Sequence, residues 1–273
     1  MNNKTILMAG LPAVGKSTYI TALWAVEKDG KSGHLLTCDG LPSESSYIDG
    51  MRDNWMVMKE VRRTSFAEPM QIDLPMKSKT SGQKLTLSLP DFKGELFQRI
   101  IDNTVSNYVK DWCYKSDGIL LMLYLGNNSP ELLQEEVSES TEPKIELEKV
   151  VMSSNDISPA IQNVLLLKYL YGIMADCPIA ICFSSWDKVD NPEDKSVEEW
   201  VKDNHPCIYN FVEEHFSAYC FYGISGQGVD YNDLDEEGGD KLAIMTTEKK
   251  RAFIYTDKVS YDITEPLYFL IQE

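Results

Sequence analysis

The chain has 273 residues, 43% of them hydrophobic, with 43 acidic against 26 basic side chains and a formal net charge of −17. That length and apolar share suffice for a full core and suit one enlarged domain over residues 1–273 better than two independent ones. The charge opposes a nucleic-acid backbone or an anionic membrane as the main partner, because both would repel such a field.

Residues 5–9 read as the first strand, and the chain runs from Met1-Asn2-Asn3-Lys4-Thr5 straight into it. No stretch reaches the length of about 18 apolar residues needed for a membrane span, so a cytoplasmic protein without such a span is expected. After Ile6-Leu7-Met8-Ala9 comes Gly10-Leu11-Pro12-Ala13-Val14-Gly15-Lys16-Ser17, which spells G-x-x-x-x-G-K-[ST]. That is the spacing of a triphosphate-binding loop. Gly10 and Gly15 let the backbone curl, so that the N–H groups of Pro12-Ala13-Val14 and their neighbours can face phosphates; proline itself contributes no donor. Lys16 is then the cation for the β and γ oxygens, Ser17 a ligand of Mg²⁺, and Thr18 the next residue on a helix predicted over 16–28.

Residues 29–50, with glycines at 30, 33, 40 and 50, read as a long flexible connection, and 45–62 as a helix. Thr64 is the candidate for closing over Mg²⁺, against the alternative that 61–65 are surface residues at a helix end. Strands are expected at 70–76 and 84–89. The second leads into Asp91-Phe92-Lys93-Gly94-Glu95, a D-x-x-G turn in which Asp91 would hold the metal through water and Gly94 would meet the γ-phosphate. The competing reading makes Asp91 the N-cap of a helix over 95–113.

A strand over 118–125, an acidic segment over 126–158, a helix over 159–174 and a strand over 178–183 follow. The last of these runs into Ser184-Ser185-Trp186-Asp187. GTP-binding proteins carry N-K-x-D at this place, its aspartate accepting N1–H and N2–H₂ of guanine, and here Asp187 alone matches. Ser184 and Ser185 stand where asparagine and lysine would, which removes the lysine stem that covers the base; a shifted register would make Asp190 the reader. After a helix predicted over 196–216 and a strand over 218–222, Ser225 occupies the place of an S-A-K loop. A second acidic run at 230–240, a hairpin within 243–262 turning near Asp257-Lys258, and a helix over 265–272 complete the chain. The acidic runs are expected as solvated loops or helix faces.

The alternation of short strands with longer helical segments predicts an α/β, three-layer fold of the P-loop NTPase type. It has a mostly parallel sheet with helices on both faces and insertions at about 29–65, 126–158 and 228–262. Six cysteines without C-x-x-C spacing are expected as buried, reduced thiols, and the three histidines form no metal-ligand pattern.

In order and spacing, residues 4–228 resemble the translation-factor-related (TRAFAC) branch of P-loop GTPases. Within it, the Asp-x-x-Gly-Glu turn, Ser-Pro-x-Ile-Gln at 158–162, S-x-W-D at 184–187 and Asp-Ile-Thr-Glu-Pro-Leu at 262–267 resemble the double-GTPase domains of prokaryotic defence and conflict operons. The resemblance implies guanine nucleotide, GTP or GDP, with Mg²⁺, at a site holding Lys16, Ser17, Asp91, Gly94, Ser185, Trp186, Asp187 and Ser225. It also implies a switch that signals to partner proteins; since this chain has one phosphate loop, another GTPase-like chain is a candidate partner. Glu95 replaces the usual water-orienting glutamine, so slow intrinsic turnover is expected. An ATPase or nucleotide kinase on the same fold, and a scaffold that holds nucleotide without hydrolysing it, stay open as alternatives.

Overall fold

A computed structural model describes residues 3–28, 32–59, 71–90, 95–102, 107–125, 157–229, 231 and 248–272. Its centre is a nine-stranded sheet in the order β2-β3-β4-β1-β5-β6-β7-β8-β9. The strands are β1 (Lys4–Ala9), β2 (Leu36–Cys38), β3 (Ile72–Ser78), β4 (Lys84–Leu89), β5 (Gly118–Tyr124), β6 (Ile179–Ser184), β7 (Tyr219–Ser225), β8 (Phe253–Tyr255) and β9 (Val259–Ser260). The five central strands, β4 to β7 in space, pair in parallel, while β2, β3, β8 and β9 join antiparallel at the two sides. β5 and β6 read as unbroken apolar runs because nearly every residue in them is buried, as a sheet covered on both faces requires.

The helices are α1 (Lys16–Glu27), α2 (Ser45–Met56), α3 (Glu95–Ile101), α4 (Asn107–Tyr114), α5 (Pro159–Met174), α6 (Val197–Asn204), α7 (Pro206–His215), α8 (Glu248–Arg251) and α9 (Glu265–Ile271). Right-handed crossovers assign their faces. The connections β4 to β5, β5 to β6 and β6 to β7 all step the same way along the sheet, which puts α3 to α7 on one face. The step from β1 to β2 runs the opposite way and sends α1 to the other. Tyr19 of α1 donates from its hydroxyl to the Ile263 carbonyl at 2.8 Å, joining α1 to the approach of α9, which lies over β5 and β6.

Local chemistry explains several boundaries. Ser158 accepts from the Ile161 N–H as the N-cap of α5, with Pro159 at its first turn, so the Ser-Pro-x-Ile-Gln motif is a helix start. In Asp-Ile-Thr-Glu-Pro-Leu, Asp262 Oδ1 accepts from the Thr264 N–H and hydroxyl, while its Oδ2 accepts from the Leu35 N–H. The Thr264 hydroxyl in turn takes the Leu36 N–H. That motif therefore fastens β2 to the start of α9.

Several sequence expectations change. The connection over 29–50 contains β2, in register with β3 from Leu36↔Ser78 to Cys38↔Met76, and Leu36 is fully buried; three residues are too few to show a period. The helix predicted over 196–216 is two, because Pro206 lacks an N–H and His205 before it leaves the helical region. The helix predicted over 95–113 appears as α3 and α4, with 103–106 outside the described residues. α2 stops at Met56 instead of 62. Of the hairpin read over 243–262, β8 and β9 are present and turn near Asp257-Lys258, but Glu248–Arg251 is a helix and not part of a strand. All six cysteines are free thiols, but only Cys113 and Cys182 are buried as expected; Cys38, Cys177 and Cys220 are half-buried and Cys207 is exposed. No helix among the described residues is long and apolar enough to cross a membrane.

Candidate functional site: a phosphate loop facing a base cleft

β1 lies between β4 and β5, and the chain leaves it for one face of the sheet while the neighbouring connections cover the other. The carboxyl end of such a strand is where an open α/β sheet forms a ligand crevice. The loop from Gly10 to Ser17 sits there. Its backbone uses conformations that require small residues: Gly10 has φ 150°, Gly15 φ 87° and Ala13 φ 64°. A Cβ on Gly10 would fall 2.6 Å from the Met122 carbonyl oxygen, and one on Gly15 would fall 3.0 Å from Ser184 Cβ. The loop is thus wedged against the ends of β5 and β6, and the glycines keep its backbone open as a cradle for phosphate.

Lys16 is 3% exposed, and its ammonium donates to the Gly10 and Leu11 carbonyls at 2.7 Å each. A buried cation inside a ring of backbone is the donor set a polyphosphate needs. Ser17 and Thr18 lie in the first turn of α1, half-buried, at the positive end of a 12-residue helix.

Beside the loop opens a cleft of about 220 Å³, lined by Ala13, Gly15, Thr18, Tyr19, Met122, Tyr124, Ser184, Ser185, Asp187, Lys188, Ile224, Ser225, Gly226 and Gln227. The Gly10–Ser17 loop, the Ser184–Asp187 turn and the Ser225 turn therefore share one space. Asp187 borders it, whereas Asp190 borders a separate depression. Ser184 is 7% exposed, and among the described residues its hydroxyl has no hydrogen-bond partner, an unpaired polar atom at the wall of the cleft. Ser185 adopts the left-handed conformation, φ 63° and ψ 34°, uncommon for a residue other than glycine and costing about 1–2 kcal/mol. It turns the chain from β6 into the short 3₁₀ turn that carries Asp187.

Trp186 does not line the cleft. It is 1% exposed and packs beneath Gly223 of β7, edge-on to Trp200 at 5.1 Å and stacked on Tyr255 at 6.1 Å. Ser185 and Asp187 on either side of it border the cleft, while its indole is packed in the core. Ser225 is buried and its hydroxyl accepts from the Gly228 N–H at 2.8 Å, so it shapes its turn. The Gly226 carbonyl accepts from Trp55 Nε1 of α2 at 2.8 Å, and Arg251 of α8 donates to the Trp55 carbonyl at 2.6 Å while its guanidinium covers the Trp55 ring. The same turn is therefore braced from two helices. Burial, ahead of the nearby Cys182 and Asp262, raises the Tyr19 phenol well above its ordinary pKa, and it stays a neutral donor.

Asp91, Gly94 and Thr64 lie outside the described residues, as does the side chain of Glu95, whose backbone begins α3. The acidic segments at 126–156 and 232–240 lie outside them as well. Tyr124, Met122, Lys188 and Gln227 were not singled out by sequence motifs. Tyr124 and Met122 reach the cleft only because β5 is inserted between β1 and β6, which no local pattern reveals.

A family model described as Double-GTPase 1 matches residues 7–270, and the chain belongs to that family. It is thereby a P-loop GTPase-class protein, and guanine nucleotide is the ligand the family implies. Among solved structures it is similar to the G domain of the T. maritima FeoB iron transporter, at 11% identity and a TM-score of 0.36, covering 89% of this chain and 99% of that one. It is also similar to a bacterial selenocysteine-specific elongation factor, EF-Sec, at 13% identity and a TM-score of 0.36, covering 90% of this chain and 30% of that one. No curated protein matches the chain in sequence.

Proposed function

We propose that this Double-GTPase 1 family member binds GTP and GDP with Mg²⁺, hydrolyses GTP slowly, and acts as a cytoplasmic switch read by partner proteins in a prokaryotic defence system. The observation that carries the reading is the single cleft bordered by both Gly15 of the phosphate loop and Asp187 of the base-reading turn. The cradle that a Cβ would fill at Gly10 and Gly15, the buried Lys16 ammonium and the unpaired Ser184 hydroxyl all suit a nucleotide.

In this reading Lys16 neutralises the β and γ oxygens, and the loop N–H groups fix the phosphates in line for attack by water. Ser17, Asp91 and Thr64 would hold Mg²⁺, which when bound offsets the charge that develops on the phosphoryl oxygens. Asp187 accepts the two edge donors of guanine, and adenine would leave that carboxylate unpaired. Gly94 offers its N–H to the γ-phosphate. Glu95 can accept a hydrogen bond from the attacking water but cannot donate one to the transferring oxygens, which supports slow turnover and a need for a partner's arginine. The net charge of −17 supports proteins, and not nucleic acid, as those partners.

The test is titration of the purified protein with labelled GTP, GDP and ATP in Mg²⁺, followed by phosphate release, alongside Lys16→Ala. Guanine binding with slow release that Lys16→Ala abolishes is expected, and Glu95→Gln should raise the release rate about tenfold, some 1.4 kcal/mol. Thr64→Ala should weaken Mg²⁺-dependent GTP affinity. A folded Lys16→Ala protein that still takes up guanine nucleotide as the parent does refutes the site. Preference for ATP refutes the guanine reading, and tight GTP binding without any turnover refutes hydrolysis.

A further inference from the structure

A guanine held only at its edge by Asp187 would have unprotected faces, and the residue type that usually covers one face is missing. Ser185, in the lysine position of the base-reading motif, has a side chain two atoms long on a left-handed backbone. It cannot span a purine. The aromatic residue next to it cannot serve either, because the Trp186 indole is buried under Gly223.

Among the described residues lining the cleft, two are aromatic, Tyr19 and Tyr124. Tyr19 is 1% exposed, with its hydroxyl committed to the Ile263 carbonyl. Tyr124 differs. It is the last residue of β5, half-buried after a run of buried positions, and its Cα is the sheet partner of Ser184, where the base-reading turn begins. It borders the cleft together with Ala13 of the phosphate loop and with Ser185 and Asp187. Another wall of the cleft is the Ser225-Gly226-Gln227 turn. There Gly226 has no side chain, and an added Cβ would come within 3.0 Å of Thr18 Cγ2, so that wall stays thin.

We propose that Tyr124 provides the base-stacking surface of this cleft, an aromatic face from the neighbouring strand in place of the alkyl stem that Ser185 lacks. The inference rests on the guanine-nucleotide reading above. Stacking on a π-face is tolerant of base identity, whereas edge hydrogen bonding is not. Tyr124 therefore sets how tightly a purine nucleotide is held, and Asp187 sets which purine it is.

The experiment measures Kd for GDP, ADP and inorganic pyrophosphate with the parent chain, Tyr124→Ala, Tyr124→Leu, Tyr124→Phe and Lys188→Ala. Folding is checked by urea midpoint. Base–aromatic contacts are worth about 1–3 kcal/mol on truncation, so Tyr124→Ala should lose about 5- to 150-fold in GDP affinity. Tyr124→Leu, which keeps apolar bulk at the strand end, should lose a similar factor, and Tyr124→Phe should stay near the parent. The GDP-to-ADP ratio and pyrophosphate affinity should not move, because neither depends on stacking. Equal GDP affinity in the parent, Tyr124→Ala and Tyr124→Leu overturns the proposal, as does a loss confined to Lys188→Ala, which would make the lysine stem the cover. A loss of pyrophosphate affinity equal to that of GDP overturns it too, since the effect would then be a distorted phosphate loop. If the parent binds no guanine nucleotide, the underlying reading fails first and takes this inference with it.

Discussion

Gly223→Ala joins the fold to the site more directly than any substitution within the cleft. The added Cβ would lie 2.1 Å from Trp186 Cδ2, 2.4 Å from Cγ and 2.5 Å from Cε3. Carbon atoms rest about 3.5–4.0 Å apart, so the methyl and the indole must separate by about 1.4 Å. Trp186 has nowhere to retreat, since Trp200 meets it edge-on at 5.1 Å and Tyr255 stacks on it at 6.1 Å. The strand cannot yield cheaply either, because Gly223 is paired with Phe183 of β6 on one side and Tyr255 of β8 on the other. The strain falls on the 3₁₀ turn Trp186–Lys188, which carries Asp187.

Overpacking of this kind costs about 1–3 kcal/mol and more where relaxation is blocked, so a loss of about 3 kcal/mol in unfolding free energy is expected. A shift of about 1 Å in a positioned group can cost about 100-fold in function, and GDP affinity should fall by that order. Urea unfolding and GDP titration measure the two effects. The double variant Gly223→Ala with Trp186→Leu should recover much of the lost stability, because the clash partner is gone, and the cycle gives the coupling directly. Parental urea midpoint and parental GDP affinity in Gly223→Ala would refute the claim that the buried Trp186 fixes the turn carrying Asp187.

Asp187→Asn replaces half of the acceptor capacity by donors, and the GDP-over-ADP affinity ratio should fall about 100-fold, read by competition titration; an unchanged ratio would remove Asp187 as the base reader. Burial against Phe183 and Trp200 lowers the His205 pKa below its ordinary value. As pH falls through about 6.5 the unfolded chain takes the proton first, so His205's contribution, full above that pH, is lost until the lower folded-state value is passed. His205→Gln should therefore flatten the decline in urea midpoint between pH 7 and 5 relative to the parent, and parallel profiles would count against it. Gly172 sits exposed within α5 with nothing within 4 Å of an added Cβ, so Gly172→Ala should raise stability by about 1 kcal/mol in the same unfolding assay.

What could be read from the sequence follows the range of the interactions that determine it. β5 and β6 were legible because both faces are buried and the apolar run is continuous, and α5 because its N-cap and proline are adjacent residues. β2 was not, for its position depends on Asp262 and Thr264, more than 220 positions away. The single helix expected over 196–216 failed on local chemistry that was available: Pro206 removes a donor and restricts His205, and the apolar period continuing on both sides masked it.

The site divides along the same line. A phosphate loop is eight consecutive residues whose backbone does the binding, so its spacing alone names Gly10, Gly15 and Lys16. The Ser184–Asp187 turn is only partly local. Asp187 follows from its place after a buried strand, but a 3₁₀ turn sends successive side chains to different sides, which is why Trp186 belongs to the core while Ser185 and Asp187 border the cleft. Tyr124 and the brace from Trp55 to Gly226 depend on sheet order and helix packing, and no motif can announce them. An eroded base-reading motif is therefore weak evidence for a lost site. In the proposed site the cleft wall draws on three strands and takes from β5 the surface that Ser185 lacks, an exchange that a single-segment motif would not record.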